Sequence, residues 1–381
     1  MAHHNTVLSQ LLRWVPRHEF ESLAKQHHAG TRLRRMSRWG QFVALACGQL
    51  AGRHSLRDVV GTLESQQTRL YHAGVGTVTR SSLARVNEKQ PFTLYEDLFG
   101  KLAARCQRVA PHHGFTFKHP LMSLDASLID LSLKVFPWAH YALGKAAVKL
   151  HLGLDHSGLM PTFATITDCH DSDLSVARIL KLPKSSMVVF DRGYFDYAWF
   201  KALTEAGVFF VTRPKKNAQA TTVMHHEVDI DSPVVSDQTI RLTGKKPQEI
   251  DMPELRRVRY KDPETDKFLE FYTNAFHLDA QTIADIYKAR WQIELFFKAI
   301  KQNLKIKAFL GTSRNAILTQ IWVALCVYLL LAYLRFVSKT GLTFQSLLRR
   351  LQVSLFMRRP LSELLFPEQP QAPPTPQMAL V

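Results

Sequence analysis

The chain has 381 residues, 46% of them hydrophobic, enough for two or three domains around a large buried core and too apolar for a disordered chain. Its 49 Lys and Arg against 32 Asp and Glu leave a formal charge of +17, which points to a polyanionic partner, most simply nucleic acid, although ribosomal and membrane-surface proteins share that sign. Cys47, Cys106, Cys169 and Cys326 lie far apart without CxxC spacing, which excludes a disulfide framework and a zinc ribbon; with no secretion signal in the first twenty residues, a reducing cytoplasm is expected.

Residues 1–118 alternate short apolar helical patterns with Arg and His and carry little strand character, so an all-α domain is expected there. Ser55 opens one helix, Gly74-Val-Gly-Thr breaks the chain, and Thr79 stands as the N-cap of a helix that resembles a DNA-recognition helix. On it, Arg80, Ser81, Ser82 and Arg85 are candidates to meet phosphates or base edges. Residues 119–212 switch to period two. Strands are predicted over 121–133, 148–154 and 161–167, then a helix over Asp173–Leu182, a buried strand Met187–Phe190, a helix Tyr197–Ala206 and a strand Val208–Thr212. Three antiparallel strands followed by helix, strand, helix and strand is the order of a ribonuclease H-like α/β core.

Residues 213–272 are polar and turn-rich and read as a β-rich insertion, after which the core resumes over 273–340 with a helix at Asp285–Leu304. At about 100° per residue, Tyr287, Arg290, Glu294 and Lys301 share a sector of roughly 60° on that helix, while Ile286, Ile293, Phe297 and Ile300 lie away from it. Such spacing usually marks a solvated face; it also suits a site that grips a phosphodiester. Residues 316–334 carry no charge, but the strongly apolar part is shorter than a bilayer needs, so a buried helix is expected rather than a membrane span. Residues 341–381 form a C-terminal helix and a tail, Pro- and Gln-rich beyond Pro367, expected to be disordered.

Three acids stand out against this order. Asp125 sits inside an apolar strand, where a carboxylate is costly unless a cation or hydrogen bonds compensate it. Asp191 ends the buried strand VVFD at the carboxyl edge, where open α/β sheets place their sites, and Glu294 arrives from the later helix. Hard oxygen ligands from two strands and a helix suit Mg²⁺, and two such ions would serve an in-line displacement at phosphorus, with Mn²⁺ able to substitute. Weaker signals have plainer explanations: Asp171 or Ser172 caps the helix after Asp168-Cys-His-Asp-Ser-Asp, and His112, His113, His119, His225 and His226 are solvated. Arg213-Pro-Lys-Lys-Asn is a basic turn, and Arg192 either orients Asp191 or touches DNA.

Tyr287, Arg290, Glu294 and Lys301, with Asp125 in LDAS and Asp191 in FDRGYFD, resemble the signature of the DDE transposases of bacterial insertion sequences, in the Tyr-Arg-Glu-Lys branch known as insertion sequence family four. The resemblance covers most of the chain. It implies a transposase that binds double-stranded DNA at terminal inverted repeats through its N-terminal helices, cuts each end and joins the 3′-hydroxyls to target DNA, as a homodimer in the synaptic complex. It implies Asp125, Asp191 and Glu294 as metal ligands and Tyr287, Arg290 and Lys301 as contacts near the cleaved phosphate. Hairpin-forming relatives hold a flipped base on a Trp of the insertion; no Trp stands between Arg213 and Arg290, which leaves Trp291, Tyr260 and Phe271 as aromatic candidates and the hairpin step open. A nuclease of the same fold that does not join strands, or a non-catalytic DNA-binding derivative, are the alternatives.

Overall fold

Among the described residues six α-helices precede the first strand: α1 (Val7–Leu12), α2 (Arg17–Gln26), α3 (Arg38–Leu50), α4 (Leu56–Ser65), α5 (Arg80–Lys89) and α6 (Thr93–Gln107). Local chemistry starts four of them the same way: the hydroxyls of Thr6, Ser37, Ser55 and Thr79 accept the backbone N–H three residues on. Gly74 takes φ +67, a left-handed conformation that ends the short turn before α5. The computed structural model describes residues 5–366 except 31, 32, 34, 35, 134, 143, 144, 305, 307 and 308, so the tail expected to be disordered beyond Pro367 lies outside the described residues.

The sheet begins with β1 (Leu121–Leu131), β2 (His140–Ala142), β3 (Lys145–Asp155) and β4 (Met160–Asp168), followed by α7 (Asp173–Arg178), β5 (Met187–Phe190), α8 (Tyr197–Glu205) and β6 (Phe209–Thr212). β3 pairs antiparallel with β1 and β4, β1 pairs parallel with β5, and β5 parallel with β6. The order β4-β3-β1-β5-β6, with helices crossing between the parallel strands, is a ribonuclease H-like core. Two local expectations need correcting. β2, a short strand on the far side of β3, is not predicted, and α7 ends at Arg178 because Ile179 and Leu180 close on carbonyls three residues back, well before Pro183.

Residues after Thr212 form β7 (Ala220–His226), β8 (Val234–Leu242), α9 (Lys245–Glu249), β9 (Leu255–Lys261) and β10 (Phe268–Thr273). The four strands pair antiparallel in sequence, and β10 returns to pair with β6 through Tyr272–Thr212 and Thr273–Val211, so they extend the central sheet rather than stand apart from it. Asn274 fastens the junction: its side-chain oxygen accepts the Phe210 N–H at 2.9 Å and its amide donates to the Val208 carbonyl at 2.9 Å. A buried ion pair, Arg256 to Asp237 at 2.6 Å, ties β9 to β8, and the same guanidinium donates to the carbonyls of Ala275 and Leu278.

Then come α10 (Ala280–Ala289), α11 (Trp291–Asn303), α12 (Arg314–Ser338), α13 (Phe344–Ser354) and α14 (Leu361–Leu365). The single helix expected at Asp285–Leu304 is therefore two. Arg290 keeps helical dihedrals, but its N–H is shared between Ile286 and Tyr287 and its carbonyl accepts from Ile293, a tighter three-residue bond that interrupts the ladder. α12 is long and apolar enough to cross a membrane, yet 94% of its apolar window is buried inside the protein, where it packs on α3, α5, α6 and β4. Trp322 meets Phe99 with ring centroids 5.4 Å apart, and Asn315 donates to the carbonyls of Asn87 and Gln90. One apolar cluster thus joins α1–α6 to β1, β3, β4 and α11–α14, running across the boundary drawn at residue 118.

Candidate active site

Side chains alternate along β1, so Asp125 and Ser127 project from one face of the sheet. The parallel register pairs Leu124 with Phe190, which makes Asp125 and Asp191, each one step further on, neighbours at the point where β5 ends. α11 packs on β1 from that same face, and a cleft of ≈ 450 Å³ opens between them, lined by Asp125, Ser127, Glu294, Lys298, Lys301 and Gln302 among others.

Each carboxylate has a defined partner. Asp125 accepts the Ala126 N–H at 2.8 Å, and Asp191 accepts the Gly193 N–H at 2.8 Å. Glycine suits that turn because a Cβ at 193 would stand 3.0 Å from the Asp191 carboxylate oxygen. Glu294 accepts from Arg290 at 2.7 Å. Burial pushes the Asp125 carboxyl up to about 6; the Ala126 N–H opposes this, the charges of Asp191 and Glu294 add to it, and Arg290 offsets part. Asp125, whose ionisation two neighbouring carboxylates make costlier, marks the site as short of positive charge.

Tyr287 lies on Phe271 with centroids 4.9 Å apart and beneath the Arg290 guanidinium at 5.6 Å. Burial raises its hydroxyl pKa, while Arg290 and Arg213 lower it. Lys301 reaches across the cleft to donate to Ser127 Oγ at 2.6 Å. Asp125, Asp191, Glu294, Tyr287, Arg290 and Lys301 therefore gather in one region. Trp291 is 55% exposed at the start of α11. Arg192 is exposed and opens on a second cleft of ≈ 260 Å³ with Arg213, Lys215, Lys216, Phe268 and Glu270.

Arg80 and Arg85 lie on the exposed side of α5, and Arg80 shares a cleft of ≈ 590 Å³ with Arg57, Asp58 and Ser81 rather than joining the carboxylates. Ser82, expected to reach DNA, is buried and bonded to Thr79 Oγ1 at 2.9 Å. Tyr260 and Phe271 are equally unavailable for stacking, since α10 covers both in the core. Phe268, which sequence reasoning passed over, is the exposed aromatic of that hairpin at 59%; its place beside the KDPETDK turn was the available signal. Ser127 was also missed, although alternation from Asp125 put it on the right face. Ser172 occupies the N-cap of α7 without a side-chain bond, and the carbonyl of Asp171 accepts from Lys149.

Among the described residues no three His, Cys, Asp or Glu side chains stand as a ready ligand set around one point. The acids nevertheless fit a hard divalent cation in kind: all donors are carboxylate oxygens, and Asp125 bears the repulsion a cation would relieve. Arg290 presently supplies that charge to Glu294.

Residues 116–330 match the family described as "Transposase DDE domain", and residues 3–76 match a domain of unknown function, DUF4372. The chain is similar to a putative transposase of Sinorhizobium fredii, 33% identical over 311 residues that cover 80% of this chain and 83% of that protein. It is similar to the probable transposase for insertion sequence element IS5377 of Geobacillus stearothermophilus, 28% identical over 71% of this chain and 72% of that protein. Among solved structures it is similar to the piggyBac transposase in a synaptic complex with hairpin DNA, at TM-score 0.47 and 13% identity over 97% of this chain and 84% of that one.

Proposed function

This chain belongs to the transposases with a DDE domain, and we propose that it moves an insertion sequence of bacterial DNA by cut and paste. Water opens a phosphodiester at each end, and the liberated 3′-hydroxyl attacks target DNA in a second in-line displacement, with no covalent protein–DNA intermediate. The observation that carries the reading is Asp125 on β1 beside Asp191, one residue past the end of the parallel neighbour β5, with Glu294 lining the same cleft as Asp125.

Enzymes with this domain use divalent metal ions, and Asp125, Asp191 and Glu294 are the residues that would hold two Mg²⁺, or Mn²⁺ in their place. Such ions, when bound, neutralise phosphate charge and make water a better nucleophile. Glu294 must leave Arg290 to serve, and Arg290 is then released to grip a phosphate with Tyr287 and Lys301. Arg192 and Trp291 border the path of the same DNA strand. Arg80 and Arg85 on α5 contact the inverted repeats. Two copies of the chain act together in the bacterial cytoplasm at the nucleoid, because two ends must be joined.

Asp125→Ala, Asp191→Ala or Glu294→Ala is expected to keep end binding and lose strand cleavage by about 10³-fold or more. The assay is gel-resolved cleavage of a duplex carrying the inverted repeats that flank the coding sequence. Normal cleavage by any one variant removes that residue from the site. A labelled 3′-hydroxyl end incubated with supercoiled target separates a transposase, which yields joined products, from a nuclease, which does not.

A further inference from the structure

Lys301 and Ser127 stand 174 residues apart in sequence and 2.6 Å apart in space. β1 projects Ser127 two residues beyond Asp125, about 7 Å along the same face. α11 returns Lys301 to the face of Glu294 seven residues later, about 10 Å along its axis. The two therefore close the cleft at the end away from Arg290, bridging its floor and its wall.

Lysine is a compact charge on a flexible four-carbon stem that samples many rotamers, and a hydrogen bond as short as that to Ser127 Oγ narrows where its ammonium sits. An ammonium has donors only, so Ser127 Oγ is the acceptor and keeps its own proton to donate. Both groups line the cleft, and both face the space in which a phosphodiester oxygen must lie to be near Asp125. Resting on the reading of this cleft as the cleavage site, we propose that Ser127 is a positioning residue of the reaction, whose hydroxyl fixes the Lys301 ammonium beside Asp125. Ser127 carries no charge and ligates no ion; it acts through Lys301.

The test is single-turnover cleavage of the flanking inverted-repeat duplex by the full chain in Mg²⁺, with end binding measured separately in Ca²⁺. Ser127→Ala is expected to bind the end within about twofold of the parent and to cleave it 10- to 100-fold more slowly, the range for losing a hydrogen bond to a charged group. Ser127→Thr, which keeps the hydroxyl, is expected to recover most of the rate. Ser127→Ala added to Lys301→Ala should slow cleavage no further than Lys301→Ala alone, since the serine has then nothing to hold. Unchanged cleavage by Ser127→Ala, or effects that multiply in the double variant, would overturn the inference. If Asp125→Ala also cleaves normally, the fault lies in the reading of the cleft; if Asp125→Ala is inactive while Ser127→Ala is normal, it lies in the role given to Ser127.

Discussion

The N-terminal helices and the strands after Thr212 are both attached to one central sheet, the first by apolar packing and the second by apolar packing reinforced with directional polar contacts. α3 buries all 13 of its residues, and its cover comes from α12 together with α2, α4, α5 and α13. β7, at the other end, is mostly exposed on both faces; β8–β10 bury Ile240, Leu255, Val258 and Phe271 in the core, and directional contacts set their placement: the β10–β6 pairing, the Asn274 bonds and the Arg256–Asp237 pair. Apolar burial is non-directional and supplies stability; hydrogen-bonded polar contacts fix geometry at little net gain. The helical layer should therefore govern whether the chain folds, and the strand extension should govern where α10 sits.

The largest expected effect tests the first half of that contrast. Trp322→Ala, at a residue 1% exposed in the middle of α12, should cost about 3–5 kcal/mol and lower the melting temperature of helices and sheet together. Two separated transitions would show the layer to be independent. Arg256→Ala tests the second half. It strands a buried Asp237 and releases Ala275 and Leu278, for about 3 kcal/mol or more. Hydrogen exchange should rise first over 220–280, and cleavage should fall even where the fold persists. Replacing both partners, Arg256→Met with Asp237→Leu, should restore stability but not the clamp on the segment before α10.

Acid should act on the sheet between these regions. Burial pushes the imidazoles of His151 and His156 down to about 4 from an ordinary 6.5, so the fold holds both neutral. Between pH 6.5 and 4 the unfolded chain binds protons that the folded chain does not, so the contribution is intact above pH 6.5 and is lost as pH falls to about 4. At 1.36 kcal/mol per pH unit this amounts to about 3 kcal/mol for each histidine at the acid end. Denaturation of His156→Gln from pH 7 to 4 should show a shallower loss than the parent, and identical slopes would contradict the assignment. The smallest effect is Thr79→Ala, which removes one N-cap of α5 and should cost about 1 kcal/mol, read as a small shift in the denaturation midpoint.

The core strands were legible because burial on one face of a sheet imposes period two, and Met187–Phe190 because a strand buried on both faces is continuously apolar. α12 was legible for the same reason, as a run too apolar for any surface. The break at Arg290 was not, since no Gly or Pro marks it and its cause is a pattern of shared backbone bonds. Nor was the fusion of β10 to β6, because strand register between distant segments is a tertiary fact. In the site, Asp125 announced itself by being charged where the strand pattern demanded an apolar residue, while Asp191 stood at a strand's carboxyl edge and Glu294 on the polar sector of its helix. Ser127 did not, because a serine on a strand costs little and its meaning comes from Lys301 across the cleft.

The position of α12 late in the chain has a bearing on synthesis. A ribosome that has delivered α1–α6 has made helices with an uncovered apolar side, and the residues that cover it, 314–338, emerge only after the whole catalytic sheet. The amino-terminal helical layer thus reaches its finished form last rather than first. A product cut short ahead of Arg314 lacks the piece that would let its amino-terminal half persist as a folded fragment.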